Sequence, residues 1–272
     1  MTTPKPPARG LKFSPGNHSY RLDGKPVPGV TTILKVLDAP GLRKWAAASV
    51  AEFVADNRQT VENLYDAGRG PMVAALKEVP WQKRDDAAER GKSFHTYAEQ
   101  IVTGQEVDVP DPMVPLVESS LRFMELWQIE PLLVEAACAS RAYWHAGTLD
   151  LVARYRNPLT GERGTGIFDW KSGKRIYASC CFQLNAYGHS EFYGLEGDEH
   201  RMADLRITAA FGVHIRSDDY DVHPLPYGED MYQEFLTIRK AYEINKRAEG
   251  DWKIPGSGYV GRSVQPDAED AA

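Results

Sequence analysis

The sequence predicts an α/β core with a mixed central sheet and an N-terminal helical elaboration. Three observations carry this. LLVEAACASRAYW, AGTLDLVARYR and GTGIFDWKS are consecutive apolar stretches of strand composition, with the turn NPLTGERG between the last two. Upstream, Leu42, Trp45, Ala46, Val50 and Phe53 recur at helical spacing. Downstream, ASCCFQLNAYGHSEFYG reads as a helix, DLRITAAFGVHI and DYDVHPLP as two strands around Ser217-Asp218, and MYQEFLTIRKAYEINKRAEG as a closing helix. Helices, a β-meander, a crossover helix, strands and a last helix make an α/β domain.

Taken in order, residues 1–12 and the tail from about 256 have the polar, Pro- and Gly-rich composition of disordered ends. Between them, 13–255 forms one domain, with a hairpin and helical part at 13–90 and the core at 91–255. HSYRLDGKPVPGV reads as two strands around the turn pair Asp23-Gly24. Thr31 or Thr32 caps a helix that is interrupted at Ala39-Pro40-Gly41. From Gln59 to Trp81 the composition is helical but punctuated by Gly68, Gly70, Pro71 and Pro80, which predicts a hinged, mobile segment. AAERGKSFHTYAEQIVTG forms a separate helix ended by Gly104, with Phe94, Ala98 and Ile101 as its core stripe and His95 and Glu99 beside it. A further helix spans Met113 to Gln128. Trp45, Phe53, Trp81 and Trp127 are expected in the core, and no internal repeat is present.

The net charge of −6 over 272 residues argues against a protein that coats nucleic acid with its whole surface. It leaves room for a local basic groove from Lys83, Arg84, Arg90 and Lys92 with Lys171, Lys174 and Arg175, although each alone reads as a solvated charge. No apolar run approaches the roughly 20 residues that span a bilayer, so no membrane partner is expected. MTTPKPPARG lacks the apolar core of a signal peptide, which predicts a cytoplasmic protein. Three cysteines, Cys138, Cys180 and Cys181, build neither a disulfide framework nor a metal knuckle.

The chemistry concentrates where apolar strands meet charge. Gly166-Ile167-Phe168 runs into Asp169, Trp170 and Lys171, and strand alternation points Asp169 and Lys171 one way and Trp170 the other. Asp150 closes a similar stretch, His145-Ala146-Gly147-Thr148-Leu149, on the preceding strand, so the two aspartates are expected as cross-strand neighbours. Such charges form either a structural ion pair or a site for a cation and an anionic substrate. Two adjacent carboxylates need neutralising, and a hard divalent ion such as Mg²⁺ or Mn²⁺ does this where phosphate is the substrate. Glu135, on the first strand, fits a metal-site role or a plain strand-edge charge. Gln183 and Tyr187, four apart, share one helix face and suit either the site or helix packing. The remaining histidines, His18, His145, His189, His200, His214 and His223, show no ligand spacing.

The ordered set GKSFH, GTLD, DWKSG and QLNAY resembles the RecB-type branch of the PD-(D/E)XK nuclease superfamily, and VPGVTTIL is similar to the opening of its phage-encoded members. The resemblance covers roughly 18–250, with Asp-Trp-Lys-Ser-Gly standing where the family has D-[YF]-K-T-G. It implies a restriction-endonuclease-like core whose sheet is flanked by helices. It implies that His95, Asp150 and Asp169 hold Mg²⁺ or Mn²⁺, that Lys171 assists an attacking water with Glu135 nearby, and that Gln183, Tyr187, Ser172, Lys174 and Arg175 face DNA. The cysteines that flank the core in iron–sulfur members are absent, so no cluster is expected. The implied activity is a DNA exonuclease acting on free-ended DNA in phage recombination, repair or degradation inside a bacterial host, with a possible recombination partner protein. The alternatives are a structure-specific or nicking endonuclease and a non-catalytic DNA-end-binding module.

Overall fold

The chain begins with a small antiparallel sheet of β1 (Leu11–Ser14), β2 (Ser19–Leu22) and β3 (Lys25–Val27). The computed structural model describes residues 10–14, 16, 19–37, 39–104, 108–250 and 258–260. The expected hairpin is present, and β1 adds a third strand that takes Leu11 and Lys12 out of the predicted disordered end. Leu11 is fully buried, which gives that strand its reason to form. The rest of the N-terminal tail, His18 and nearly all of the C-terminal tail lie outside the described residues.

Helix α1 (Val30–Leu34) starts at Gly29, so Thr31 and Thr32 lie inside it and neither caps it. Val30, Ile33 and Leu34 all face the core, and that burial sets the start one turn early. Helix α2 (Pro40–Asp56) and helix α3 (Arg58–Asp66) follow. Helix α4 (Arg69–Val102) then runs unbroken for 34 residues, about 51 Å at 1.5 Å per residue. The break expected at Gly68 is present, between α3 and α4, whereas Gly70, Pro71 and Pro80 do not interrupt α4, which also takes in the helix expected to be separate. Gly68 caps α4 at φ 100°, and Pro71 sits in the first turn, where the backbone N–H has no intrahelical acceptor to lose. Pro80 forfeits one hydrogen bond and is buried. Trp81 is 52% exposed rather than in the core, with the Arg84 guanidinium stacked 4.8 Å from its ring, and Trp45 and Phe53 are only half-buried. Trp127 is buried as expected.

After a 3-10 turn, α5 (Val114–Leu126) leads into β4 (Glu130–Ser140), β5 (His145–Arg156) and β6 (Arg163–Lys171). Helix α6 (Ser179–Gly188) ends six residues earlier than its composition implies, giving way to β7 (Phe192–Leu195) and β8 (Asp198–Arg201). Phe192 and Tyr193 pair with Ala139 and Cys138 at the edge of β4, and that pairing overrides local helical preference. Then come β9 (Ala209–Ile215), β10 (Tyr220–Leu225) and α7 (Glu229–Glu249).

The central sheet has seven strands in the order β10-β9-β6-β5-β4-β7-β8 and is mixed, because β6 and β9 run parallel while the other pairs are antiparallel. Helices α1, α6 and α7 cover one face around Leu149, Val152, Ile167 and Leu184. Helices α4 and α5 cover the other around Phe94, Phe123, Phe168 and Trp170. Each such side chain, fully buried, contributes roughly 1.5–3 kcal/mol, so both helical layers are firmly seated. No helix among the described residues is long and apolar enough to cross a membrane.

Candidate functional site

The site lies where two neighbouring strands part company. The β5–β6 ladder runs from Arg156↔Arg163 to Leu151↔Phe168 and stops. Beyond that point β5 stays with β4, and β6 stays with β9 through Asp169↔Gly212 and Lys171↔His214. The next residues on the two strands are Asp150 and Asp169, so they lie one step past the last ladder pair, on either side of a fork. Asp150 sits in mid-strand, not at a strand end, and its Oδ2 accepts a 2.9 Å hydrogen bond from the Trp170 N–H that the fork would otherwise strand. Strand alternation holds as predicted: Trp170 packs among Phe123 and Phe168 on one face, while Asp169 and Lys171 point to the other.

Two further groups converge on Asp150. Glu135 follows Val134, the partner of Leu151, and takes φ 45°, a conformation that non-glycine residues seldom adopt and that costs free energy. His95 comes from α4, fixed by its buried neighbours Phe94 and Ala98. Its Nδ1 lies 3.6 Å from Asp150 Oδ2 and 3.7 Å from Glu135 Oε1. The ligand atoms of His95, Glu135 and Asp150 all lie within 4.8 Å of one another, so a small adjustment would bring the three onto one small cation with ligands at about 2.1 Å.

Asp169 is the most enclosed of the charges, with 1% of its side chain exposed. It pairs with Lys171 Nζ, accepts from Gln183 Nε2 at 3.0 Å and from the Cys180 thiol at 3.4 Å. Cys180 was not expected here; its place three residues before Gln183 on the same helix face was the available signal. Tyr187 is buried in the core behind the site rather than at its opening. Ser172 is half-buried near Gly91 of α4, and the exposed Lys174 and Arg175 follow it, Arg175 stacking 4.8 Å over Tyr177. Of the other basic candidates, Lys83 and Arg84 are paired with Glu52 and Asp85, whereas Arg90 and Lys92 flank Gly91.

The charges fit a dication. Three carboxylates, Glu135, Asp150 and Asp169, face one ammonium, which leaves two net negative charges when His95 is neutral. Burial, with the Asp169 and Glu135 carboxylates, raises the Asp150 carboxyl to about 7 against the pull of His95 and Lys171. Burial works against the His95 imidazolium, yet Asp150 and then Glu135 outweigh it and hold the imidazole up at about 9. Burial likewise opposes the charge on Lys171, and Asp169 and Asp150 overcome it, so the ammonium persists well above its ordinary range. Burial and then Asp169 push the Cys180 thiol up, which keeps it a neutral donor.

These shifts give the metal-free protein a signed pH dependence. Asp150 and His95 are both raised, so the folded state binds more protons than the unfolded state between about pH 4 and 9, and stability falls as pH rises through that window. His95 contributes fully below its unfolded value of 6.5 and loses its contribution through about 9. The melting temperature in EDTA should drop by several degrees from pH 5 to pH 9, and Asp150→Asn should flatten the slope.

Gly147 sets the back wall of the site. A Cβ there would lie 2.2 Å from the buried Tyr187 ring. Gly147→Ala should therefore destabilise by about 1–3 kcal/mol, measured by denaturant unfolding. Combining it with Tyr187→Ala should cost less than the sum of the two single changes, because the smaller side chain removes the clash. No protein-family model matches the chain, and a search of characterised proteins finds no relative.

Proposed function

We propose that this chain is a divalent-metal-dependent DNA nuclease with a PD-(D/E)XK, restriction-endonuclease-like core, acting as an exonuclease on free-ended DNA with Mg²⁺ or Mn²⁺. The observation that carries this reading is the convergence of His95, Glu135 and Asp150 beside the Asp169–Lys171 pair in an open fork of the sheet. A bound divalent ion would supply Lewis acidity and lower the pKa of its water from about 15.7 toward neutrality. His95, Glu135 and Asp150 would hold it, with Asp169 adjoining. Gln183 and Cys180 orient the Asp169 carboxylate, and that carboxylate positions the Lys171 ammonium at the mouth of the fork. In the metal-free protein Lys171 is held charged, which suits a role in orienting water or in stabilising negative charge growing on a phosphoryl group. Ser172, Lys174 and Arg175, with Arg90 and Lys92 of α4 beside Gly91, line the approach for a phosphate backbone.

One observation favours a second reading. Gly70, Pro71 and Pro80 leave α4 unbroken and only Gly68 parts it from α3, so residues 69–102 form one rigid helix beside the fork rather than a many-hinged cover that would close over a free end, which suits an endonuclease of the same core. End-labelled linear single- and double-stranded DNA and a closed circle, each with Mg²⁺, Mn²⁺ or EDTA, test both. Loss of label only from linear substrates, abolished by EDTA, supports the exonuclease; cutting of the circle establishes the endonuclease; metal-independent binding without cleavage of any substrate defeats the enzyme reading.

A further inference from the structure

The outer strand pair carries a second convergence of ligating side chains, one that uses none of the residues at the fork. His214 on β9 directly opposes Asp221 on β10, and His223, two residues further along β10, opposes Gly212. Strand alternation puts His214, Asp221 and His223 on one face, and their ligand atoms all lie within 4.8 Å of one another. Spacing along the chain hides this, because an antiparallel register and not a local motif brings the three together.

The surroundings of each ligand are those that metal sites use. His214 is buried, and its Nε2 lies 2.6 Å from the Gly173 carbonyl. That carbonyl can only accept, so the proton belongs on Nε2 and the Nδ1 lone pair is left for an ion, the arrangement that fixes the tautomer of a metal-bound imidazole. Asp221 Oδ2 accepts from the Arg216 guanidinium, which orients the carboxylate. His223 is exposed and has no hydrogen-bond partner among the described residues.

We propose that His214, Asp221 and His223 form a second metal site for a borderline first-row divalent ion, with Zn²⁺ as the reference and water in the remaining position. Two imidazoles and one carboxylate select such ions over Mg²⁺ and Ca²⁺, which prefer oxygen ligands. The site is coupled to the fork by a short path. His214 pairs in register with Lys171 and holds Gly173, so an ion here would steady the loop that carries Ser172, Lys174 and Arg175. The proposal stands whether or not the fork cleaves DNA.

The test uses the full chain, stripped with EDTA, in a Glu135→Gln/Asp150→Asn background that silences the fork. Titration with Co²⁺, followed by its visible absorption, and with Zn²⁺, followed by calorimetry, should show one equivalent bound. Adding His223→Ala or Asp221→Asn, both at exposed positions that circular dichroism can confirm as folded, should weaken binding by at least about tenfold, the scale of losing part of a site's ligand shell. Zn²⁺ should also slow amide exchange at residues 172–175 in the background variant and not after His223→Ala. Absence of binding in the background variant, or unchanged affinity after both single substitutions, would overturn the proposal.

Discussion

Asp150→Asn should abolish metal-dependent cleavage while leaving the fold in place. The choice of Asn matters. Asp150 Oδ2 accepts the Trp170 N–H at the point where the β5–β6 ladder ends, and an amide oxygen can keep that 2.9 Å bond whereas Ala cannot. What Asn removes is the charge. Asp150 lies between Glu135, Asp169 and His95, and burial together with those two carboxylates already makes its ionised form costly in the metal-free protein. Neutralising it relieves repulsion, so thermal stability in EDTA near neutral pH should be unchanged or slightly higher. Under the proposed function a divalent ion would, by contrast, lose a charged ligand from the set of three that would hold it, and with it the several kcal/mol of transition-state stabilisation that the ion would supply. At 1.36 kcal/mol per decade, the expected fall in cleavage rate is on the order of a thousandfold or more. Asp169→Asn should act similarly on rate but should lower stability, because it removes the counter-charge of the Lys171 ammonium. Near wild-type cleavage by Asp150→Asn in Mg²⁺ would show that the fork is not where the chemistry occurs.

The parts of this site that were legible in the sequence are those set by local geometry. Strand alternation places Asp169 and Lys171 together with Trp170 opposite, whereas helical spacing offered Gln183 and Tyr187 to the site alike, and only Gln183 reaches the Asp169 carboxylate while Tyr187 packs in the core. Order along the chain also gave the central strands and the crossover helix. What was not legible depends on distant segments meeting. Nothing local to Glu135 shows that α4 delivers His95 to within 3.7 Å of it, and nothing near His214 shows that β10 returns Asp221 and His223 to the same face. Strand β8, Asp198–Arg201, is exposed at every position and so lacks the apolar alternation by which strands are read. The error over α4 has a different origin. Gly68 does part α3 from α4, but Gly70 and Pro71 fall in the first turn of α4, where no intrahelical bond is lost, and only Pro80 costs one, so the three leave one long helix.

Lys171→Ala should reduce the cleavage rate by about 10²-fold or more, the scale of losing a positioned catalytic group, with a smaller effect on metal affinity. The ammonium touches Asp169 and has more than a third of its side-chain surface exposed, so it faces both the carboxylates and the opening of the fork. In the metal-free protein burial opposes its charge, and Asp169 and Asp150 outweigh it and hold the ammonium above its ordinary value. Breaking a buried pair by removing one partner costs roughly 3–5 kcal/mol, and here the loss should be smaller, because solvent reaches Lys171 and because Gln183 and Cys180 continue to donate to Asp169. Lys171→Arg tests what the position requires. It restores the positive charge but replaces a compact, rotatable ammonium by a wider planar fork, in a space already bounded by Cys180 and Gln183 around the Asp169 carboxylate. Stability should return nearly to wild type while the rate stays at least tenfold low. Full activity in the Arg variant would mean that the site needs only a charge there, and that orienting water or a phosphoryl oxygen at Nζ is no part of the mechanism.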